Sequence, residues 1–385
     1  MLSDIELNVE GLAQSLQDDG VLCADELLLS LGECLLRVRS NSSELLKLLR
    51  AYFSHVELSA ANANQHGQNK NPDIDVVAIE RDSPDLALHF VDWKREPGKT
   101  GRKDSYFDFE GGRLIRKVRT GMVFLQSKDY RIAAGPCLQY DNQVINFINA
   151  QYMNWLQHRG WLICHAAGLT YRGKGFGIAG FSGGGKSTLM LHLLENDDVS
   201  YMSNDRLFVR KGQNDEQDLI IEAVGIPKLP RVNPGTIIHN PRLQSLIPSD
   251  QRASLLAIPS NELWDLEEKY DVMIEQVYSP DKILSSAPLK AFLVLNWQRD
   301  SDERLRLEQV NLADRLDLLG AIMKSPGPFY QLDDESFYQD TADFDEQAYL
   351  SVFEKISVYE AKGGIDFAAL LKLYFAVMKK SEKLS

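Results

Sequence analysis

Residues 180–187 read Gly-Phe-Ser-Gly-Gly-Gly-Lys-Ser and match the phosphate-loop pattern G-x-x-x-x-G-K-[ST] at every fixed position. In this pattern glycines let backbone N–H groups approach phosphate oxygens, the lysine carries charge to the β- and γ-phosphates, and the serine hydroxyl ligates Mg²⁺. The flanking residues predict a buried strand over 175–180 and a helix over 187–195, so phosphates would lie at a helix N-terminus. The motif therefore predicts an α/β core that binds ATP or GTP.

The motif and its surroundings define a set of predicted ligand contacts. Magnesium at such a site needs acidic ligands from neighbouring strands. Asp205 follows the predicted strand 199–203 and should emerge beside the phosphates, although a turn aspartate is the alternative. Glu222 lies in an apolar strand, where a carboxylate is costly unless it is paired, metal-bound or at a solvated edge. The predicted nucleotide contacts are Gly180, Ser182, Gly183, Gly184, Gly185, Lys186, Ser187 and Thr188, and the predicted magnesium ligands are Ser187, Asp205 and Glu222.

Two further stretches carry candidate chemistry. His165 interrupts the apolar strand 162–169, where a histidine is either a core residue with its hydrogen bonds made or a functional residue. The stretch 227–235 contains three prolines together with Lys228 and Arg231. Prolines stiffen such a loop and basic side chains suit phosphate or acceptor contact, so it either grips a substrate or serves as a structural crossover.

The patterning along the chain predicts three regions. Residues 1–158 read as an α+β domain, with two helical stretches before residue 56, a mostly antiparallel sheet, and a helix over 143–158. Residues 159–310 contain the short apolar strands of the nucleotide-binding core. Residues 311–385 read as mainly helical, with predicted helices over 312–323, 343–360 and 366–380.

Composition limits the function classes. The net charge of −13 argues against a general nucleic-acid or anionic-membrane surface. The chain contains no run of 18 apolar residues, so no membrane span is predicted. The N-terminus lacks the basic flank and apolar core of a signal peptide. The four cysteines have no metal-ligand spacing, and three lie among apolar neighbours, as buried thiols do. These features predict a cytoplasmic protein that binds neither nucleic acid nor membrane.

Three stretches resemble the HPr kinase/phosphorylase family of P-loop kinases. After His165 come a short strand, a Gly-Lys-Gly turn at 173–175 and the strand that enters the loop, as in the family. The loop at 180–187 matches the family loop, which also has serine at its third position. Ser203-Asn-Asp-Arg206 is similar to the family's Ala-Asp-Asp-Arg. The similarity spans residues 165–235 and is greatest to the subgroup called HPr-related kinase B.

The resemblance implies a fold class and an activity. The fold would be α/β, with an HPr-kinase-like P-loop core, an α+β N-terminal domain and a helical C-terminal part. The activity would be an ATP-dependent kinase that uses Mg²⁺, with Lys186 on the phosphates and Asp205 accepting the acceptor's proton with help from His165. Arg231 or Lys228 would steady the acceptor or the transferred group. A protein or a small molecule would serve as phospho-acceptor, and a homo-oligomer would fit the family.

The sequence also departs from the family. Asn204 replaces the first residue of the acidic pair, Val224 replaces an arginine, and Thr188 stands where HPr kinases usually have glutamate. These changes put HPr in doubt as the substrate. They also leave a second function open, namely a nucleotide-gated binding module that transfers no group. An ABC-type ATPase is disfavoured because the chain has no Leu-Ser-Gly-Gly-Gln signature.

Overall fold

The chain folds into two compact units in a computed structural model. The N-terminal unit contains the described residues up to Arg159 together with Ser325–Asp343, and the phosphate-loop unit contains Gly160–Lys324 and the described residues from Phe344 onward. The structure describes residues 7–17, 20–58, 71–94, 101–181, 184–263, 266, 268–298 and 301–382.

The described residues of the N-terminal unit form an eight-stranded sheet in the order β1-β2-β3-β8-β7-β6-β5-β4. Only the β2–β3 and β3–β8 pairs among these strands are parallel, which agrees with the predicted antiparallel character. The strands are β1 Leu27–Leu31, β2 Cys34–Ser40, β3 Ile74–Glu80, β4 Val91–Asp92, β5 Asp104–Phe109, β6 Gly112–Lys117, β7 Val123–Ser127 and β8 Arg131–Gly135. The helices are α1 Val9–Gln17, α2 Ser43–Tyr52 and α3 Asp141–Gln157.

Helices cover both faces of this sheet. Leu12 and Leu16 of α1 belong to the apolar cluster that also contains Leu125 and Ile132. On the other face, Phe147 of α3 lies 5.0 Å from Phe124, ring centroid to ring centroid. Aromatic burial of this kind accounts for a large share of a core's stability.

Residues 325–343 belong to the N-terminal unit, not to a C-terminal helical region. Arg113 on β6 is fully buried and donates hydrogen bonds to the carbonyls of Pro328 and Tyr338, at 3.1 and 3.0 Å. A buried guanidinium requires such acceptors, so it ties the segment to the sheet. The expectation that residues 311–385 are mainly helical is wrong in this stretch.

The phosphate-loop unit is built on a branched sheet. Its described strands form the order β12-β10-β11-β17-β14-β13-β9, and β19 pairs with both β17 and β18. The strands are β9 Leu162–Cys164, β10 Ala166–Tyr171, β11 Lys174–Gly180, β12 Val199–Ser203, β13 Leu207–Gln213, β14 Leu219–Gly225, β17 Ser286–Leu295, β18 Arg306–Val310 and β19 Ser357–Lys362, with β15 Arg231–Val232 and β16 Tyr270–Asp271 as a separate pair.

Short helices connect these strands. The α-helices are α4 Lys186–Leu193, α5 Pro234–Ile238, α6 Ser249–Leu256, α7 Ser260–Leu263, α8 Ile274–Val277, α9 Leu319–Ile322, α10 Glu346–Phe353 and α11 Phe367–Glu382. The 3-10 helices are Pro241–Leu246, Leu312–Asp314 and Leu316–Leu318. Asp366 caps α11, which matches the helix predicted over 366–380, since its Oδ1 accepts from the Ala369 amide at 2.9 Å.

The helix expected over 343–360 is only partly present. It ends at Phe353, and Ser357–Lys362 forms β19 between β17 and β18. Val358 and Ala361 are buried in this strand. The spacing of these apolar residues also fits one face of a helix, but their burial inside the sheet decides the conformation. The 312–323 helix is likewise replaced by two 3-10 turns and the short α9.

The strand directions place the C-terminal ends of four strands at one edge of this sheet. Strands β11, β17 and β19 are parallel, with Gly180 beside Leu295 and Leu295 beside Ala361. Strand β12 runs in the same direction as β11, because both are antiparallel to β10. The ends of β11, β12, β17 and β19 therefore share one edge, the position where α/β proteins bind ligands.

Two findings bear on the compositional expectations. All four cysteines lie among the described residues and none forms a disulfide, with Cys34, Cys137 and Cys164 buried. Across the described ranges, no helix has both the length and the apolar character that crossing a membrane requires.

Two matched glycine substitutions test the contact between β11 and β17. A Cβ on Gly177 would lie 2.3 Å from the ring of Phe292, which is itself buried against Phe353. We expect Gly177→Ala to lower the free energy of unfolding by about 1–3 kcal/mol through overpacking. Gly320→Ala is the control, because no atom beyond its chain neighbours and the backbone of its own helix lies within 4 Å of its Cβ position. It should be neutral or slightly stabilising in a thermal melt, and equal effects of the two changes would contradict this packing.

Candidate active site

The phosphate loop joins the end of β11 to the start of α4. The Gly184 amide donates to the Phe181 carbonyl at 2.9 Å, which closes the described part of the loop. Gly185 has a φ of +83°, a conformation that strongly favours glycine, and its carbonyl accepts from Leu189 in the first turn of α4. Ser182 and Gly183 lie outside the described residues. The loop thus has the glycine backbone and the helix start that its sequence predicts.

Lys186 reaches back across the loop. Its Nζ donates a hydrogen bond to the Gly180 carbonyl at 3.0 Å, so the first residue of α4 contacts the last residue of β11. This arrangement keeps an ammonium group at the opening of the loop. A phosphate group can replace the carbonyl as its partner, because an ammonium group binds phosphate oxygens more strongly than a neutral carbonyl.

Ser187 forms a hydrogen bond with the residue that follows β12. Its Oγ donates to Oδ1 of Asn204 at 2.8 Å, and Asn204 follows β12 directly. Two oxygen atoms therefore meet where a magnesium ligand is expected, and Mg²⁺ prefers oxygen donors. The sequence assigned Ser187 and Asp205 to the metal, whereas the structure pairs Ser187 with the amide residue that precedes Asp205.

Asp205 contacts the side chains of His165 and Arg206. Oδ1 lies 3.0 Å from Nε2 of His165, and Oδ2 accepts from Nη1 of Arg206. His165 occupies the junction between β9 and β10, where its amide donates to the Ile322 carbonyl at 2.7 Å. The sequence prediction that His165 and Asp205 act together thus gains a direct contact.

The electrostatics keep Asp205 ionised. Burial raises the pKa of this carboxyl, but the charge of Arg206, the hydrogen bond from His165, and the charges of His165 and Lys324 together lower the pKa well below its ordinary value. Attraction by neighbouring cations therefore outweighs desolvation. The carboxylate is 40% exposed by side-chain area, so it remains accessible to a ligand.

Glu222 is engaged elsewhere. Its Oε2 accepts from Nε of Arg210 at 2.6 Å across the β13–β14 ladder, and the Arg210 guanidinium lies 4.3 Å from the centroid of the Trp161 ring. Within the described part of the chain, no three His, Cys, Asp or Glu side chains form a metal-binding group, so Glu222 does not cluster with His165 and Asp205. Its predicted metal role gains no geometric support.

Thr236, the residue that follows the 227–235 stretch, contacts α4 through Thr188. Thr188 Oγ1 lies 3.3 Å from Oγ1 of Thr236, which in turn donates to the Asn233 side chain at 3.0 Å. Arg231 instead pairs with Asp271, Nε to Oδ1 at 3.3 Å, within the β15–β16 pair. Its predicted acceptor role remains a prediction.

Sequence reasoning missed two aromatic residues at the loop. Trp297 donates from Nε1 to the Gly184 carbonyl at 2.9 Å, and its ring meets that of Phe367 at 4.9 Å and 76°. The partners Trp297 and Gly184 are 113 positions apart in the chain. The available signal was a tryptophan at the end of the apolar run 291–297, since the end of a buried strand there would lie at the same sheet edge as the loop.

Comparisons with known proteins yield a distant similarity to solved structures. No family model matches the chain, and no curated protein matches it. Among solved structures, that of the HPr(Ser) kinase/phosphatase from Coxiella burnetii is similar at 10% sequence identity, with 58% of this chain and 90% of that chain covered and a TM-score of 0.27. The function proposed below therefore rests on the residues of this chain.

The low pKa of Asp205 predicts a pH-dependent contribution to stability. A carboxyl whose pKa is lower in the folded than in the unfolded chain stabilises the fold above its unfolded pKa and loses this contribution as the pH falls. We therefore expect Asp205→Asn to lower the thermal midpoint at pH 7 and to have a smaller effect as the pH falls below about 4. Thermal melts of both proteins from pH 7 to pH 3 measure this, and a constant or widening gap would contradict it.

Proposed function

We propose that the protein is an ATP-dependent kinase that transfers the γ-phosphate to a hydroxyl of a protein or small-molecule acceptor. One observation carries the proposal. At a single sheet edge, Lys186 spans the phosphate loop, Ser187 contacts Asn204, and the next residue, Asp205, pairs with His165. A phosphate-binding group and an ionised carboxylate are thereby adjacent, which phosphoryl transfer to a hydroxyl requires.

The loop supplies the binding of the triphosphate. Backbone N–H groups ahead of α4 and the start of that helix favour anionic phosphate oxygens. Lys186 adds a full positive charge and exchanges its bond to the Gly180 carbonyl for one to the β- and γ-phosphates. These contacts hold the nucleotide and orient its terminal group.

Ser187 and Asn204 fit a magnesium ion. Both offer neutral oxygen atoms, and these lie 2.8 Å apart across two neighbouring elements. Asp205 would add a negative charge to this donor set. Magnesium, when bound, neutralises part of the charge on the β- and γ-phosphates. With an amide at position 204, we propose that the site holds the ion with one carboxylate fewer than an acidic pair would supply.

Asp205 orients the acceptor hydroxyl. Its pKa is low enough that it is a carboxylate at neutral pH and accepts a hydrogen bond from that hydroxyl. Phosphoryl transfer proceeds through a loose transition state, in which positioning matters more than early proton removal. His165 holds one carboxylate oxygen at 3.0 Å and thereby fixes its direction. Arg206, on the other oxygen, supplies a positive charge near the transferred group.

A binding module that transfers no group is the second candidate. The observation that favours it is the engagement of Asp205 by both His165 and Arg206, together with the amide at Asn204. A carboxylate that is paired with an arginine and hydrogen-bonded by a histidine is a weak base. Nucleotide binding would be common to both functions, whereas transfer or hydrolysis would occur only in the kinase.

Lys186→Ala should abolish nucleotide-dependent chemistry. With γ-labelled ATP, Mg²⁺ and a bacterial extract, the native protein should label an acceptor. The variant should label it at least about 100-fold less, because the loop loses its positive charge at the reacting phosphates. Lys174→Ala is the control, since Lys174 begins β11 at about 20 Å from Gly180. Labelling that survives Lys186→Ala would show that the loop is not the site.

Asp205→Asn should separate binding from transfer. The amide keeps the shape of the side chain but loses its charge, so ATP affinity should change by no more than about threefold while transfer falls by about 10²–10⁴-fold. Calorimetric titration with ATP and the labelling assay measure the two effects. Tight ATP binding by the native protein without transfer or hydrolysis would favour the binding module instead.

A further inference from the structure

We infer that Trp297 is a positioning residue that sets the orientation of a phosphate-binding amide in the loop. Trp297 follows β17 at the sheet edge, is 9% exposed, and donates from Nε1 to the Gly184 carbonyl at 2.9 Å. The inference rests on the proposed function, because it concerns how the loop prepares for a nucleotide. It adds a residue outside the motif to the phosphate site.

Peptide geometry connects this hydrogen bond to the loop amides. The Gly184 carbonyl and the Gly185 N–H belong to one planar, trans peptide group, so they point in opposite directions. With the carbonyl directed at the indole of Trp297, the Gly185 N–H is directed away from it. A rotated peptide would exchange the two and turn a carbonyl oxygen toward a phosphate, which repels it. Trp297 therefore selects the peptide orientation that suits an anion.

Phe367 supports the same arrangement, because its ring lies beside Gly185 and against Trp297. A Cβ on Gly185 would lie 2.7 Å from Cζ of Phe367, so this ring fills the space beside the Gly185 backbone. Its edge-to-face contact with Trp297, at 4.9 Å, in turn holds the indole in place. Phe367 is the first residue of α11, which Asp366 caps. Packing against regular elements gives the precision that a binding loop needs.

Trp297→Phe tests the inference, because it removes the N–H donor and keeps an aromatic ring. Trp161→Phe is the matched control. Trp161 is 7% exposed in the same unit and packs against Arg210, away from the loop. Calorimetry with MgATP and with inorganic pyrophosphate gives the dissociation constants, and thermal melts without ligand give the stability of each variant.

We expect Trp297→Phe to raise both dissociation constants by about threefold to tenfold, the size of one lost hydrogen bond. Trp161→Phe should bind both ligands like the native protein. A purely structural role would lower the melting temperature of Trp297→Phe without a change in pyrophosphate affinity, and that result would overturn the inference. If the native protein binds nucleotide and Trp297→Phe binds both ligands as tightly as Trp161→Phe does, the inference is overturned but the proposed function is not. Absence of binding by the native protein would overturn the proposed function and this inference with it.

Phe367→Leu provides a second test if Trp297→Phe does not fold. Leucine keeps an apolar side chain at the start of α11 but removes the ring beside Gly185. Weaker pyrophosphate binding by this variant supports the inference, and unchanged binding overturns it.

Discussion

The close parallel contact between β11 and β17 determines where the site lies. Gly177 and Gly180 have no side chains where β17 passes, and a Cβ on either would lie less than 3 Å from Phe292 or Leu295. Because these glycines let the strands approach, β11 delivers the phosphate loop and β17 delivers Trp297 to the same edge. Without this approach the loop would lack Trp297, the partner of the Gly184 carbonyl.

The charged groups at that edge are Asp205, which has partners on both carboxylate oxygens, and Lys186, which contacts a neutral carbonyl. Asp205 carries the negative charge, and His165 and Arg206 contact it, so that its pKa stays low although the side chain is partly buried. Lys186 is held by a neutral carbonyl, which a more strongly attracting phosphate can displace. Asn204 contributes an oxygen without charge. These charges support the proposed binding of an anionic ligand that brings its own cation, as a magnesium nucleotide does.

Local patterns in the sequence predicted the parts of this arrangement that depend on neighbouring residues. The phosphate loop, the helix that begins at Lys186 and the start of the helix predicted over 366–380 are of this kind, since each is encoded within a few positions. The departure at Asn204 was also visible as a missing carboxylate. Its hydrogen bond to Ser187 was not, because the two residues meet only after β12 is placed beside the loop.

The features that the sequence did not predict depend on contacts between distant segments. Strand β19 satisfies its backbone by joining β17 and β18, and this pairing overrides the helical spacing of its apolar residues. Arg113 binds carbonyls more than 200 positions away and so assigns residues 325–343 to the N-terminal unit. Glu222 was expected at the metal because a carboxylate in an apolar strand needs a partner. That partner is Arg210.

The central claim is that phosphates and a divalent cation bind between the loop and the end of β12. A crystal soaked with Mn²⁺ and a non-hydrolysable ATP analogue tests it most directly, because manganese gives an anomalous signal at its own position. The account predicts a manganese peak at about 2.1 Å from Oγ of Ser187, with the γ-phosphate between Lys186 and Asp205. A nucleotide bound at another surface, or a loop without phosphate density, would contradict it.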